Sequence, residues 1–473
     1  MGMLGAMHIG RSGLSAAQAG VATTGHNISN ANTEGFSRQR VHQTAEADRS
    51  TGMNRTQVGA GTRVSSIDRV NDRYIEKQLR GAGRDQAHAE EKELILQQAE
   101  DIFNEMGGEG LNRVMSRFFN EFRKLSNEPE NESIRESVRE AAQSMVNDLK
   151  RLRGQIDDVR SHADARIEGY VREANSLTDE IRELNIQIKG LENAKGNASD
   201  LQDQRDRALK KLNALIDVGM FTDEAGGYVV DVKGLGPVVT GGQSEKFTVN
   251  RTPSGEAGKA ANALDIFLDN ARGDPVTGQI SGGRLGALIE ARDQVMGTIS
   301  GRLDDIAFEL SRAVNEVHRL GFTRDGMTQV DFFRQPTQRE GAAEQLALSD
   351  EIRNSAQNIA TAAAPDSPGD NRIALALSNL QGLRLMNDGK STVDDFYNSI
   401  VSEVGVASNR NKAMLSQSKD ISTQLGKMRE QISGVSIDEE TTRLMQYQHA
   451  YDASARVIRV ADEMMRTVLS LKD

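Results

Sequence analysis

The side chains that most often carry chemistry are scarce in this chain or badly spaced for it. Seven histidines (His8, His26, His42, His88, His162, His318 and His449) are scattered, without the short spacings that bring imidazoles to one metal ion. There is no cysteine, which removes disulfides, thiolate metal sites, iron–sulfur clusters and a cysteine nucleophile. Gly389-Lys390-Ser391 has the end of a phosphate loop, but the position of its first glycine is Arg384. Gly234-Leu235-Gly236 lacks the third glycine and the following helix of a dinucleotide loop and reads as a hairpin turn. No Gly-x-Ser-x-Gly elbow occurs. Acidic pairs such as Asp157/Asp158 and Glu439/Glu440 read as solvated helix faces or as first-turn charges that suit the helix dipole. The expectation is a protein that is not an enzyme and that holds no cofactor and no metal.

Composition narrows the class further. The 473 residues suggest about three domains. A net charge of -11, with 58 basic residues interspersed among 69 acidic ones, opposes nucleic acid as the main partner. No run reaches the roughly 18 apolar residues of a membrane helix, so no membrane partner is expected. The N-terminus has no charged segment followed by an apolar one, so no cleaved signal peptide is expected. Met1-Gly2 would suit myristoylation, but Ala6 stands where Ser or Thr belongs.

Helical periodicity organises most of the chain. Met7, Leu14, Val21 and Ile28 recur every seven residues, and Gly10, Ala17, Thr24 and Ala31 lie half a repeat away. Asn27 to Phe36, rich in Asn and Ser and carrying Gly35, predicts the end of that helix and an extended exit through Phe36 and Val41. From 131 to 191 there is no proline, and Ile167, Tyr170, Ala174, Leu177, Ile181, Leu184, Ile188 and Leu191 alternate steps of three and four. Ser199 to Gln202 reads as a capping box opening a return helix, so 131–215 is expected as a long antiparallel hairpin. Short β-prone runs at 228–232, 238–239, 247–249 and 264–268 predict a compact β insertion. Helices are expected again at 284–320, 371–387 and 392–432, with a turn cluster at 365–369 between them.

The final segment opens on a second capping box, Ser436 to Glu439. Beyond it Leu444, Tyr451, Ile458 and Met465 sit seven apart. Tyr447, Ser454, Ala461 and Val468 form a second row, and Ala450, Val457, Met464 and Leu471 a third. At roughly 1.5–3 kcal/mol per fully buried large side chain, so wide an apolar stripe needs a partner.

Both ends of the chain resemble the axial proteins of the bacterial flagellum. Gly13-Leu14-Ser15-Ala16-Ala17-Gln18, followed by the run from Asn27 to Arg38, is similar to the N-terminal signature shared by rod, hook and junction proteins. Narrower matches point to the family of flagellar hook-associated protein 1: Gly434 to Glu440, Tyr447 to Ile458, Asp200 to Asp206, Gly282 to Leu288, and Asp331-Phe332-Phe333. The chain is short for that family, so an additional outer domain of some members is expected to be absent.

The resemblance implies a structural protein joining hook to filament, exported through the flagellar type III channel and located outside the cell at the hook–filament junction. It implies a mainly α fold with a β-rich insertion. Residues 1–36 with 433–473 would form an inner terminal coiled-coil domain, 37–215 with 283–432 a long-helix bundle body, and 216–282 a small outer β domain. Implied partners are further copies in a ring or helical homo-oligomer, hook protein, the next hook-associated junction protein, and a cytoplasmic export chaperone at the C-terminal segment. The candidate assembly interface comprises Met7, Leu14, Val21, Ile28, Asn30, Asn32, Gly35 and Phe36 with Leu444, Tyr447, Tyr451, Ile458, Met465 and Val468. Another axial component (hook or distal rod protein) is the alternative reading, and a coiled-coil signalling protein a more distant one.

Overall fold

Proline-poor, heptad-spaced sequence becomes long helices in the computed structural model, which describes residues 3–46, 59–103, 110–194, 196–222, 227–252, 263–269, 273–367 and 369–470. Helix α1 (Met3–Ser29) leads to the antiparallel strands β1 (Gln39–Ala45) and β2 (Thr62–Arg69). Helices α2 (Arg73–Phe103), α3 (Leu111–Asn127), α4 (Glu132–Asn193) and α5 (Ser199–Leu215) follow. Six strands come next: β3 (Val218–Thr222), β4 (Tyr228–Val232), β5 (Gly236–Thr240), β6 (Gln243–Ser244), β7 (Phe247–Thr252) and β8 (Ala263–Leu268). Helix returns as α6 (Gly283–Glu290), a π-helical stretch Ala291–Met296, and α7 (Gly297–Arg319). Then come β9 (Phe333–Arg334), α8 (Ala342–Gln345), β10 (Ala347–Leu348), α9 (Asp350–Asn354), α10 (Arg372–Asn379), α11 (Val393–Ser433) and α12 (Ile437–Ser470). No described helix is long and apolar enough to cross a membrane.

The chain divides into two compact units. The first comprises Met1–Gln86, Glu173–Lys246 and Gln417–Asp473; the second comprises Ala87–Arg172 and Phe247–Ser416. In the first, α1 packs along α12, and the β1–β2 pair lies against α1. The hairpin of α4 and α5 is antiparallel: Gln202 donates to Glu192 at 3.0 Å and Arg205 to Asn185 at 3.1 Å. Ile167, Ala174, Leu177, Ile181, Leu184 and Ile188 of the heptad row are buried, and Leu191 is exposed. The expected capping box at Ser199 does not form. Ser199 is already helical, and its N–H donates to the Asn197 side chain at 2.9 Å instead.

The β-prone stretch carries two sheets. An antiparallel four-stranded sheet β3-β4-β5-β6, with Val229, Val230, Val232, Val238 and Val239 buried, belongs to the first unit. The β7–β8 hairpin belongs to the second, where buried Arg292 of the π-helical stretch donates to Leu264 O at 2.8 Å. Gly234 and Gly236, at φ 92° and 97°, form the turn between β4 and β5, as their spacing suggested. The helix expected over 371–387 stops at Asn379: it tightens into a 3-10 turn over Leu380–Gly382 and turns extended at Leu383, and Asn387, Asp388 and Gly389 then take positive φ in a separate turn in which Met386 pairs with Ser391.

Aromatic side chains are few but concentrated. In the second unit Phe118, Phe119, Phe122, Phe332 and Phe333 meet mostly edge to face, with centroids 4.8 to 6.0 Å apart. Asn315 holds this cluster in place. Its Oδ1 accepts the N–H groups of Phe332 and Phe333, both at 2.9 Å, and its Nδ2 donates to Phe333 O at 2.8 Å. Beside them the fully buried His318 contacts Val330 O through Nδ1 at 2.7 Å and accepts the Ala360 N–H at Nε2, 2.8 Å away. Nδ1 therefore carries the proton and the ring is neutral.

Burial lowers the His318 pKa from its ordinary 6.5 to about 4. Above about pH 6.5 neither the folded nor the unfolded chain protonates it. As pH falls from there toward about 4, the unfolded chain binds a proton that the folded one refuses, and stability declines by about 3 kcal/mol. Denaturant titrations at about pH 7 and about pH 4.5 should show this loss in the wild type and a smaller one in His318→Gln.

Candidate assembly interface at the terminal helices

Close backbone approach governs how α1 meets α12. A methyl group at Gly20 would lie 2.4 Å from a ring carbon of Tyr447, and one at Gly10 2.6 Å from Cγ1 of Ile458. Only glycine leaves room for these side chains. Gly13 faces Ser454, Gly20 faces Tyr447 and Asn27 bonds Glu440, so the helices are antiparallel and step in sevens on both sides. The buried seam of α1 consists of small residues: Gly10, Ala16, Ala17, Gly20, Thr23, Thr24 and Asn27.

One buried polar pair fixes this register. Asn27 and Glu440 are each 1% exposed. Asn27 Nδ2 donates to Glu440 Oε2 at 2.8 Å and to Gln39 O at 2.9 Å, while its Oδ1 accepts the Gln39 N–H at 2.9 Å. Arg443, one turn on, brings a guanidinium nitrogen to 3.5 Å from the other Glu440 oxygen. Close by, the Arg38 N–H donates to Ser433 O at 2.9 Å and its side chain reaches Glu439 at 2.9 Å. Glu439 is thereby drawn away from its expected return to the Ser436 N–H, and the second capping box keeps only its Ser436 half. A slip by one residue would part the buried Glu440 carboxylate from the Asn27 amide, at a cost above that of an ordinary exposed hydrogen bond.

The turn after α1 is held by its own side chains and by α5. Asn30 Nδ2 donates to His26 O at 3.0 Å, the Thr33 hydroxyl donates to Asn30 Oδ1 at 3.2 Å, and Gly35 takes φ 76°. Phe36 is buried, edge-on to His26 with centroids 5.5 Å apart. Three aspartates at i, i+3 and i+6 on α5 form a clasp. Asp200 meets His26 at 3.1 Å and Gln39 at 2.8 Å; Asp203 accepts the Ser37 N–H at 3.0 Å; Asp203 and Asp206 hold Arg69 at 2.6 and 2.8 Å. Burial pushes the Asp203 carboxyl up, against the pull of Arg69 and the Ser37 N–H.

The row Met7, Leu14, Val21 and Ile28 is half-buried and flanks the small-residue seam. Leu444, Tyr447, Ile458 and Met465 are half-buried on the α12 side, Ile458 against Gly10 and Tyr447 against Gly20, whereas Tyr451 and Val468 are exposed. Asn30, Gly35 and Phe36 come together at the exit turn; Asn32 points to solvent. Leu471 lies outside the described residues. Sequence reasoning missed the Gly13-Gly20-Asn27 row and the three aspartates, although both repeats (seven and three residues) were present to be found.

Comparison with known proteins bears on the whole chain. The family profile described as flagellar hook-associated protein FlgK helical domain matches residues 96–333. Residues 7–36 match the flagella basal body rod protein profile, and 430–471 the C-terminal profile of flagellar basal body rod FlgEFG proteins. Flagellar hook-associated protein 1 of Bacillus subtilis is 28% identical over 496 residues, covering 97% of this chain and 96% of that protein. The same-named protein of Salmonella typhimurium is 23% identical over 552 residues, covering 98% of each. The flagellar hook junction protein FlgK of Burkholderia pseudomallei superposes with a TM-score of 0.66 at 15% identity, over 75% of this chain and all of that one.

Replacing Asn27 tests the lock. Asn27→Ala removes the donor to Glu440 Oε2 and the side-chain partner of two Gln39 backbone groups and should cost roughly 2–3 kcal/mol. The expected readout is faster amide hydrogen exchange along α1 and α12, recovered in large part by adding Glu440→Leu. Unchanged protection in Asn27→Ala would show that the pair does not hold the register.

Proposed function

This chain belongs to the flagellar hook-associated protein FlgK family, and from that premise we propose that it joins hook to filament as an axial ring of subunits assembled through its paired terminal helices. It is a structural component of the flagellum. The observation that carries the reading is the outer face of the α1/α12 pair. With the inner face filled by small residues, Val457, Val460, Met464 and Val468 remain 43%, 47%, 55% and 53% exposed. Ala6, Val457, Val460, Ala461 and Met464 line an apolar groove of about 290 Å3. At about 25 cal/mol per Å2, covering this face with a neighbouring subunit is a substantial driving force for assembly. Contacts of that kind are heterologous, one patch of a subunit meeting a different patch of the next, and so build rings or helices.

The finer parts of the reading follow from the same face. The terminal pair acts as the inner coiled coil of the ring. Hook protein lies on one side and the next hook-associated protein on the other, outside the cell. Before export the C-terminal stripe needs a cover, which a cytoplasmic chaperone supplies. The role is structural, without catalysis. The rod-type matches at both ends suit rod and hook proteins equally; the helical-domain match over 96–333 favours the junction.

Cells lacking the protein should carry hooks without filaments and release flagellin into the medium, as seen by electron microscopy. Complementation with Val457→Asp/Met464→Asp should fail although that chain folds as judged by circular dichroism. Normal filaments in the deletion strain would refute the junction role.

A further inference from the structure

The end of α11 carries an apolar row with the same stepping as the outer row of α12. On α12, Ala453, Val457, Val460 and Met464 advance by four, three and four residues, and all are exposed. On α11, Ile421, Leu425, Met428 and Ile432 advance by four, three and four as well. Ile421, Met428 and Ile432 are 43%, 41% and 38% exposed, and Leu425 is half-buried. At 3.6 residues per turn, each set of four falls within roughly 60° around its helix. Four-three-four stepping is that of a coiled-coil seam, whose side chains insert only into a facing helix of the same repeat. Both seams lie in the first unit.

Other surfaces of that unit offer no such row among the described residues. Tyr74, Ile186, Leu191 and Phe221 are its exposed large apolar side chains outside α11 and α12, and no two share a helix face. The outward positions of α1 are polar, as at His8, Arg11 and Gln18. The flanks of the two seams also correspond. Exposed Gln424 and Gln431 each precede an apolar member of the α11 row by one residue, and exposed Arg456 and Glu463 do the same on α12. A Gln amide both donates and accepts, so it can meet either charge.

We propose that the Ile421-Leu425-Met428-Ile432 row of one subunit receives the Ala453-Val457-Val460-Met464 row of a second copy of this chain. The proposal rests on the ring assembly argued above and names the two patches that meet in it. Matching repeats select a helix of this chain as the occupant. Propagation selects α11 over α12 as its seat: α12 against a neighbour's α12 would be one patch meeting itself, a two-fold contact that stops at two copies. With α11 as the seat, every bound subunit still has one patch of each kind to offer, as a ring requires.

Cross-linking in assembled flagella tests the pairing, since the chain has no cysteine of its own. Flagella built from Met428→Cys/Val457→Cys or Met428→Cys/Met464→Cys chains are treated with a short bismaleimide and read by immunoblot. At least one double variant should give a ladder of dimers, trimers and higher multimers, because each subunit is linked on two sides. The three single variants should stay monomeric. A dimer from Val457→Cys or Met464→Cys alone would mean that α12 meets itself and would overturn the pairing. So would a link to a different protein, or no ladder in either double variant. If the double variants build no filaments, photoreactive p-benzoylphenylalanine at exposed Gln431 reads the same contact: the adduct should map to α12 of a second copy, and its absence or any other location overturns the proposal. Because the flagella examined carry filaments, a missing ladder leaves the junction role standing, whereas loss of that role is read from the deletion strain.

Discussion

A carboxylate and an amide, both buried where α1 meets α12, hold the two ends of the sequence in a single register. Glu440 accepts from Asn27 at 2.8 Å, and the same amide closes two further bonds to the Gln39 backbone. Three elements thus share one residue: the end of the first helix, the start of β1 and the first turn of the last helix. The glycines could seat α12 one heptad further along with little change in shape. The buried charge could not, because its partner would be lost. Specificity comes from the polar pair and closeness from the small seam, a division of labour familiar from helix pairs in which a lone polar position sets the register.

That division bears on assembly. A seam of Gly, Ala and Thr brings the helices near each other but buries few large side chains between them. Most of the apolar area of α12 therefore faces outward, at Val457, Val460, Met464 and Val468. The pair is a finished register with an unfinished surface. The clasp of Asp200, Asp203 and Asp206 ties its exit to α5, so the outward face is presented from a fixed mount.

The long helices were legible in the sequence because their apolar residues repeat without interruption: 132–193 and 437–470 became the helices that the spacing demanded. The exit turn was legible too, since Asn30, Gly35 and Phe36 act through local bonds. The packing face of α1 was harder. Gly10, Ala17 and Thr24, read beside the row of Met7, Leu14, Val21 and Ile28, do lie in the buried seam, but the Gly13-Gly20-Asn27 row that sets the register was not read, because at two of its positions the absence of a side chain is the signal. The capping boxes failed for the opposite reason. Ser199 and Glu439 have the right types at the right spacing, but the helix starts at Ser199 itself, whose N–H is taken locally by the Asn197 side chain, and the distant Arg38 takes the Glu439 carboxylate. The end of α10 was hidden because Leu380, Leu383 and Met386 keep near-helical spacing beyond Asn379, where the chain tightens and then turns extended.

The register itself can be tested by covalent capture, since a chain without cysteine offers no competing thiol. A Cβ built at Gly13 lies 3.6 Å from Cβ of Ser454, inside the range of about 3.5–4.5 Å that a disulfide requires. Mild oxidation of the Gly13→Cys/Ser454→Cys chain should form an intramolecular disulfide, seen as a mobility shift without reductant, while Gly13→Cys/Tyr447→Cys, one heptad out of step, should remain reduced. A disulfide in the second pair and none in the first would contradict the register on which the account depends.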